Sequence, residues 1–216
     1  MRQVSLAPSD MDTPMPISTL RQLSFETADD LVEKGASYVD LRAIDSYLEV
    51  HIPGSLGLVY EFGPGMAGRA RDCIPLSLPL ILLDAPNANL NNAAASLRGK
   101  GFTVLGALED GVNAWINTHG APSSTEVVEG HDPPDALVLD ISDPGRILED
   151  ADMSIPVELL WSRAAELRDK GLVALAAGFG VRAGLAVGIL ERAGVSELVF
   201  WKTKAAPQRR KLEPYG

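Results

Sequence analysis

Two stretches of this chain carry the same series of local signals, and that repetition constrains the fold more than any other feature. Tyr38-Val-Asp-Leu-Arg-Ala-Ile and Leu137-Val-Leu-Asp-Ile-Ser-Asp are apolar runs that end in an acid and then break into loop. Each reads as a buried strand whose aspartate sits at the C-terminal edge. Leu80-Ile-Leu-Leu-Asp and Leu172-Val-Ala-Leu-Ala come next, each followed by a small-residue loop and an Ala/Leu-rich helical stretch. The helices close alike, at Leu97-Arg-Gly-Lys-Gly-Phe and Leu190-Glu-Arg-Ala-Gly-Val, with glycine just past the end. Asp40 to Gly101 spans 61 positions and Asp140 to Gly194 spans 54. Alternating short strands and helices imply parallel sheets, so the expected class is α/β: two similar domains, each a mainly parallel sheet covered by helices on both faces.

Boundaries follow from where this pattern stops. Residues 1–23 hold scattered prolines and acids and read as a flexible arm. Residues 24–120 form the first unit, opening near the capping pattern Thr27-Ala-Asp-Asp30. Residues 121–134, rich in Pro, Gly, Ser and acids without periodicity, read as a linker. Residues 135–205 form a trimmed second unit and residues 206–216 a polar tail. At 216 residues, with 46% hydrophobic and 22% charged residues, there is enough apolar material for packed cores.

Charge and cysteine usage exclude several classes. A net charge of −10 argues against a nucleic-acid backbone or an anionic membrane surface as main partner. The single cysteine, Cys73, rules out an intramolecular disulfide, a four-cysteine zinc site and a CxxC pair. Gly171–Leu190 is apolar, but Arg182 and five glycines make it a poor membrane span and a better strand, turn and buried helix. A soluble cytoplasmic protein without cofactor or metal is expected.

Particular words then narrow the fold. Val39-Asp-Leu-Arg42 followed by Tyr47-Leu-Glu-Val-His-Ile-Pro-Gly-Ser55 resembles the opening of a rhodanese domain. Leu108-Glu-Asp-Gly-Val-Asn-Ala-Trp115 looks like that family's closing Gly-Gly-x-x-x-Trp helix start, and Ala177-Gly-Phe-Gly-Val-Arg182 resembles its Cys-x-x-Gly-x-Arg active loop. The resemblance, over residues 24–205, implies two rhodanese-like domains in tandem. The first is closest to the cysteine-lacking rhodanese domain that follows some metallo-β-lactamase-fold proteins of sulfur metabolism, though that fold's zinc cluster is absent here.

What the resemblance implies about chemistry is mostly a loss. Sulfur transfer needs a thiolate that holds the outer sulfur as a persulfide. Counting back from the helix-end glycines puts that position at Asp84 and Ala177, neither a sulfur nucleophile. Asp84 as a phosphatase-type nucleophile would want a second aspartate where Pro86 stands, so a capping or loop-bonding role is expected. In the second unit Gly178, Phe179, Gly180, Val181, Arg182 and Ala183 retain a loop able to receive a small oxyanion, the alternative being a relic whose arginine pairs with a nearby acid. Gly178-x-Gly-x-x-x-Gly184 is also a weak dinucleotide fingerprint, with too little chain after it for a dinucleotide fold.

Cys73, in Arg69-Ala-Arg-Asp-Cys-Ile-Pro, is the fallback thiol, with two arginines that would favour a thiolate but no strand-end cradle. His51 belongs to the His-Ile-Pro-Gly turn and reads as structural; His119 and His131 flank the linker without metal spacing. Ser142 stands where the strand-end arginine is expected, and Trp161 or Trp201 is expected at the contact between units. The leading reading is a non-catalytic binding or regulatory module taking a small oxyanion or a protein partner. The alternatives are an active sulfurtransferase using Cys73 and a homo-oligomeric scaffold, including a homodimer.

Overall fold

Both acid-terminated runs form strands. β1 (Ser37–Asp40), β2 (Leu56–Gly57), β3 (Leu80–Leu83) and β4 (Val104–Leu108) make a parallel sheet in the order β2-β1-β3-β4. β1 and β3 are buried at every position, so their sequences show no polar alternation. Helices α1 (Phe25–Glu33), α2 (Ile44–Glu49), α3 (Met66–Cys73), α4 (Leu90–Gly99) and α5 (Gly111–His119) complete this half. One face of the sheet packs with residues of α1 and α5, the other with α3 and α4. The computed structural model describes residues 19–60, 65–86, 88–108, 110–204 and 208–209.

The second half holds β5 (Glu126–Gly130), β6 (Leu137–Asp140), β7 (Arg146–Ile147), β8 (Met153–Ser154), α6 (Val157–Arg163), a 3₁₀ turn (Ala164–Leu167), β9 (Val173–Ala176), α7 (Val181–Arg192), β10 (Leu198–Thr203) and β11 (Gln208–Arg209). Five of these strands form a second parallel sheet, ordered β5-β10-β9-β6-β8, while β7 and β11 pair antiparallel as a separate ribbon.

Two segments are more ordered than the sequence suggests. Residues 126–130, inside the stretch read as a linker, are β5, and Thr125 N–H donates to Leu48 C=O at 2.8 Å. At the end of the arm, Leu23 N–H donates to Ala107 C=O and Ala107 N–H to Arg21 C=O, both at 2.8 Å, with Leu20 and Leu23 buried. Both are edge segments held by backbone bonds to a distant partner. Edge segments need little apolar periodicity of their own, which is why they read as loop. With them, the two sheets run in the same order: leading segment, β4, β3, β1, β2 in one and β5, β10, β9, β6, β8 in the other. Residues 1–18 of the arm and most of the tail lie outside the described residues. The first helix starts three residues earlier than the capping pattern suggested, with Ser24 Oγ accepting from Thr27 N–H.

The apolar stretch around Gly171–Leu190 resolves into β9 and α7. Residues 183–190 of α7 are all buried because the helix lies between its own sheet and β2 of the other half. Among the described residues, no helix is long and apolar enough to cross a membrane. One core runs through both halves, joining Leu56 and Leu58 to Leu185, Val187 and Ile189. The far face of the second sheet is closed by a loop: Leu148 and Ala151 pack on Val138, Ala174, Ala176 and Trp201. Trp201 is therefore away from the contact between halves, and Trp161 is the tryptophan beside it, its ring 5.9 Å from the Arg192 guanidinium.

Candidate functional site

The residues that follow β3 and β9 occupy the two positions where the resemblance expects a thiol, and they differ in surroundings. Asp84 is exposed, and Gly111 N–H at the start of α5 donates to its Oδ1 at 3.3 Å. A carboxylate at a helix N-terminus is stabilised by the free N–H groups and the dipole there, so Asp84 is a loop-bonding residue. Ala177 is half-buried at the mouth of the second loop and has φ 59, an unusual value for a residue with a Cβ. Gly178 (φ 89) and Gly180 (φ 101) carry the chain through the left-handed turn into α7, whose N-terminus has no side-chain cap. The uncapped N–H groups of the first turn of α7 therefore face this loop.

Arg182 has found an acid. Its Nη2 pairs with Asp143 Oδ1 in the loop after β6, while its Nε is buried with no partner. Desolvation and then the neighbouring charge of Arg69 lower its pKa, and the Asp143 carboxylate opposes both by favouring the charged form. Asp143 follows Ser142, which stands where the strand-end arginine of the first half is. There Arg42 donates to Asp40 and, at 2.6 Å, to Val50 C=O. In the second half buried Asp140 is held by backbone alone, accepting from Ser142 and Leu148 N–H. Asp143, next along the loop, is the acid that meets Arg182. Only the fold shows the pair.

A cavity of about 220 Å³ opens between the halves, lined by Val59, Met66, Arg69, Phe179, Val181 and Arg182. Arg69 comes from α3, and no local signal joins it to the loop. Behind the loop, a second cavity of about 180 Å³ takes in Ala177, Gly178 and Lys202, whose ammonium lies 4.5 Å from the Phe179 ring centroid.

Cys73 is not a poised thiolate. It is 2% exposed, and burial, followed by the charge of Glu158, pushes its pKa up to about 12. The arginines expected to activate it are engaged elsewhere. Arg69 pairs with Glu158 at 2.7 Å, and Arg71 donates to Lys100 C=O at 2.7 Å.

His51 is fully buried. Its Nδ1 lies 2.8 Å from Tyr47 C=O and its Nε2 3.1 Å from Glu191 of α7. Glu191 also accepts from Gly54 N–H at 2.7 Å, so the His-Ile-Pro-Gly turn is a junction between halves.

Comparison with known proteins bears on this arrangement. No family model matches the chain. The thiosulfate sulfurtransferase GlpE of Pseudomonas fluorescens is 31% identical over 108 residues, which are 50% of this chain and 95% of that protein. The chain belongs to the rhodanese-like sulfurtransferase family. GlpE of Pseudomonas paraeruginosa is 29% identical over 111 residues, 51% of this chain and 97% of its own length. Each of these relatives thus matches about half of this rhodanese-like chain. Among solved structures, SseA of Escherichia coli aligns with 88% of the chain at 15% identity and a TM-score of 0.36.

Proposed function

We propose that this rhodanese-like chain is a non-catalytic binding module of two tandem units, whose loop at Gly178–Ala183 receives a small oxyanion of the sulfite, thiosulfate or phosphate type. The observation that carries the reading is Ala177. It follows β9 directly in a left-handed conformation, where a methyl group replaces the atom that would have to carry sulfur. The burial and raised pKa of Cys73 support the same reading, because a persulfide requires a thiolate that reaches its donor.

Asp143 already lies on Arg182, so an incoming oxyanion must displace it. Asp143 has 45% of its side chain exposed. The carboxylate that leaves therefore has water to move into, and the incoming oxyanion replaces its charge on the guanidinium. Isothermal titration with sulfite and with phosphate tests the site: both bind weakly, Asp143→Asn tightens them, and Arg182→Ala abolishes binding. A thiosulfate–cyanide assay tests the missing chemistry. Turnover by the parent chain that disappears in Cys73→Ser would overturn the non-catalytic reading.

A further inference from the structure

At the opposite end of α7, about 15 Å along the helix from Arg182, two arginines stand around an apolar hollow. The hollow has a volume of about 320 Å³ and is lined by Trp161, Ala164, Ala165, Arg168, Ile189 and Arg192. Ile189 and Ala164 form a buried apolar floor. Arg192 also lines a neighbouring cavity of about 300 Å³ with Pro53, Gly54 and Glu191, so its guanidinium stands between two openings.

The charge balance here is unusual for a chain of net charge −10. Among the described residues, neither Arg168 nor Arg192 has a carboxylate within ion-pair distance. The nearby acid, Glu191, is taken by His51 and Gly54. Arg192 is held by one neutral bond, Nη1 to Ser37 Oγ at 3.2 Å, and by the Trp161 ring. Arg168 gives its Nε to Ala193 C=O at 2.8 Å, leaving the outer nitrogens of its fork. A helix C-terminus draws cations with about half a negative charge, less than two arginines carry, so the α7 dipole does not balance the pair.

We propose that this hollow is a second binding site, taking a small organic carboxylate with an apolar body. The carboxylate accepts from the free guanidinium nitrogens of Arg192 and Arg168, for which bidentate geometry is favoured. Its apolar part lies on Ile189 and Ala164 beside Trp161. The hollow is at the small end of the range for ligand pockets, and a single-ring acid fits it. The site is independent of the oxyanion loop.

Benzoate is the probe, titrated into the full chain while amide and indole chemical shifts are recorded by NMR. Saturable shifts are expected at residues 161–168, at residues 189–193 and at the Trp161 indole. Arg192→Gln and Arg168→Gln should each weaken binding about tenfold or more. Ala165 is exposed, so Ala165→Leu fills the hollow without a burial cost and should abolish the shifts. Inorganic phosphate, which lacks an apolar body, should bind this site at least tenfold more weakly. Absence of saturation, shifts confined to residues 177–183, phosphate binding as tightly as benzoate, or folded Arg168→Gln and Ala165→Leu proteins that bind as the parent would each overturn the proposal.

Discussion

Gly184 of α7 packs so closely on Gly57 of β2 that a Cβ on either would lie 2.7 Å from the other's backbone. One turn later, a Cβ at Gly188 would stand 2.1 Å from Ser55 C=O. These glycines, which look like helix breakers or part of a nucleotide motif in sequence, are there because a helix of one half lies on a strand of the other. Their cost in helix propensity, about 1 kcal/mol each, is offset by burial of the surrounding leucines and valines.

Gly188→Ala should therefore lower stability despite alanine's better propensity. Overpacking against backbone that cannot rotate away costs about 1–3 kcal/mol or more. Gly68→Ala, in mid-α3 with nothing within 4 Å of the added carbon, should instead gain about 0.5–1 kcal/mol. Urea unfolding of the two variants checks the contrast, and equal effects would disprove the close approach.

Cys73 should resist iodoacetamide at pH 8 in the folded chain and react readily in denaturant. Its folded pKa, about 12, lies above the ordinary value of 9.0, so above pH 9 the unfolded chain gives up this proton first. Stability from this group thus falls as pH rises from about 9 towards 12. Denaturation midpoints of parent and Cys73→Ser across that window measure it: the parent should lose more stability than the variant, whose remaining loss comes from buried Tyr38 and Tyr47.

Ala177→Cys should create the reactive thiol that Cys73 is not. The new side chain stands at the half-buried loop mouth by the N-terminus of α7, where the dipole and Arg182 favour a thiolate. Alkylation near neutral pH should be faster than at Cys73 by at least tenfold, read by mass spectrometry of the labelled peptides.

Glu191→Ala should cost about 1–3 kcal/mol by removing the acceptor for Gly54 N–H and the neighbour of buried His51. Glu191→Gln keeps an oxygen for Gly54 and an N–H₂ for His51 Nε2, so it should recover most of that loss in thermal unfolding.

The parallel α/β class and the buried strands were legible in the sequence because each depends on local information: a strand buried on both faces is an apolar run bounded by loop signals. The Asp84 capping role was legible for the same reason. Tertiary structure alone decided the rest. β5 and residues 21–23 are held by backbone bonds to β10 and β4, and such bonds leave no side-chain signature. Arg69 turned from the presumed activator of Cys73 into the partner of Glu158 because α6 packs beside α3. Arg182 met Asp143, and Gly184 met Gly57, across separations that no spacing rule spans. Side-chain identity fixes what a residue is able to do, and long-range packing fixes which partner it meets.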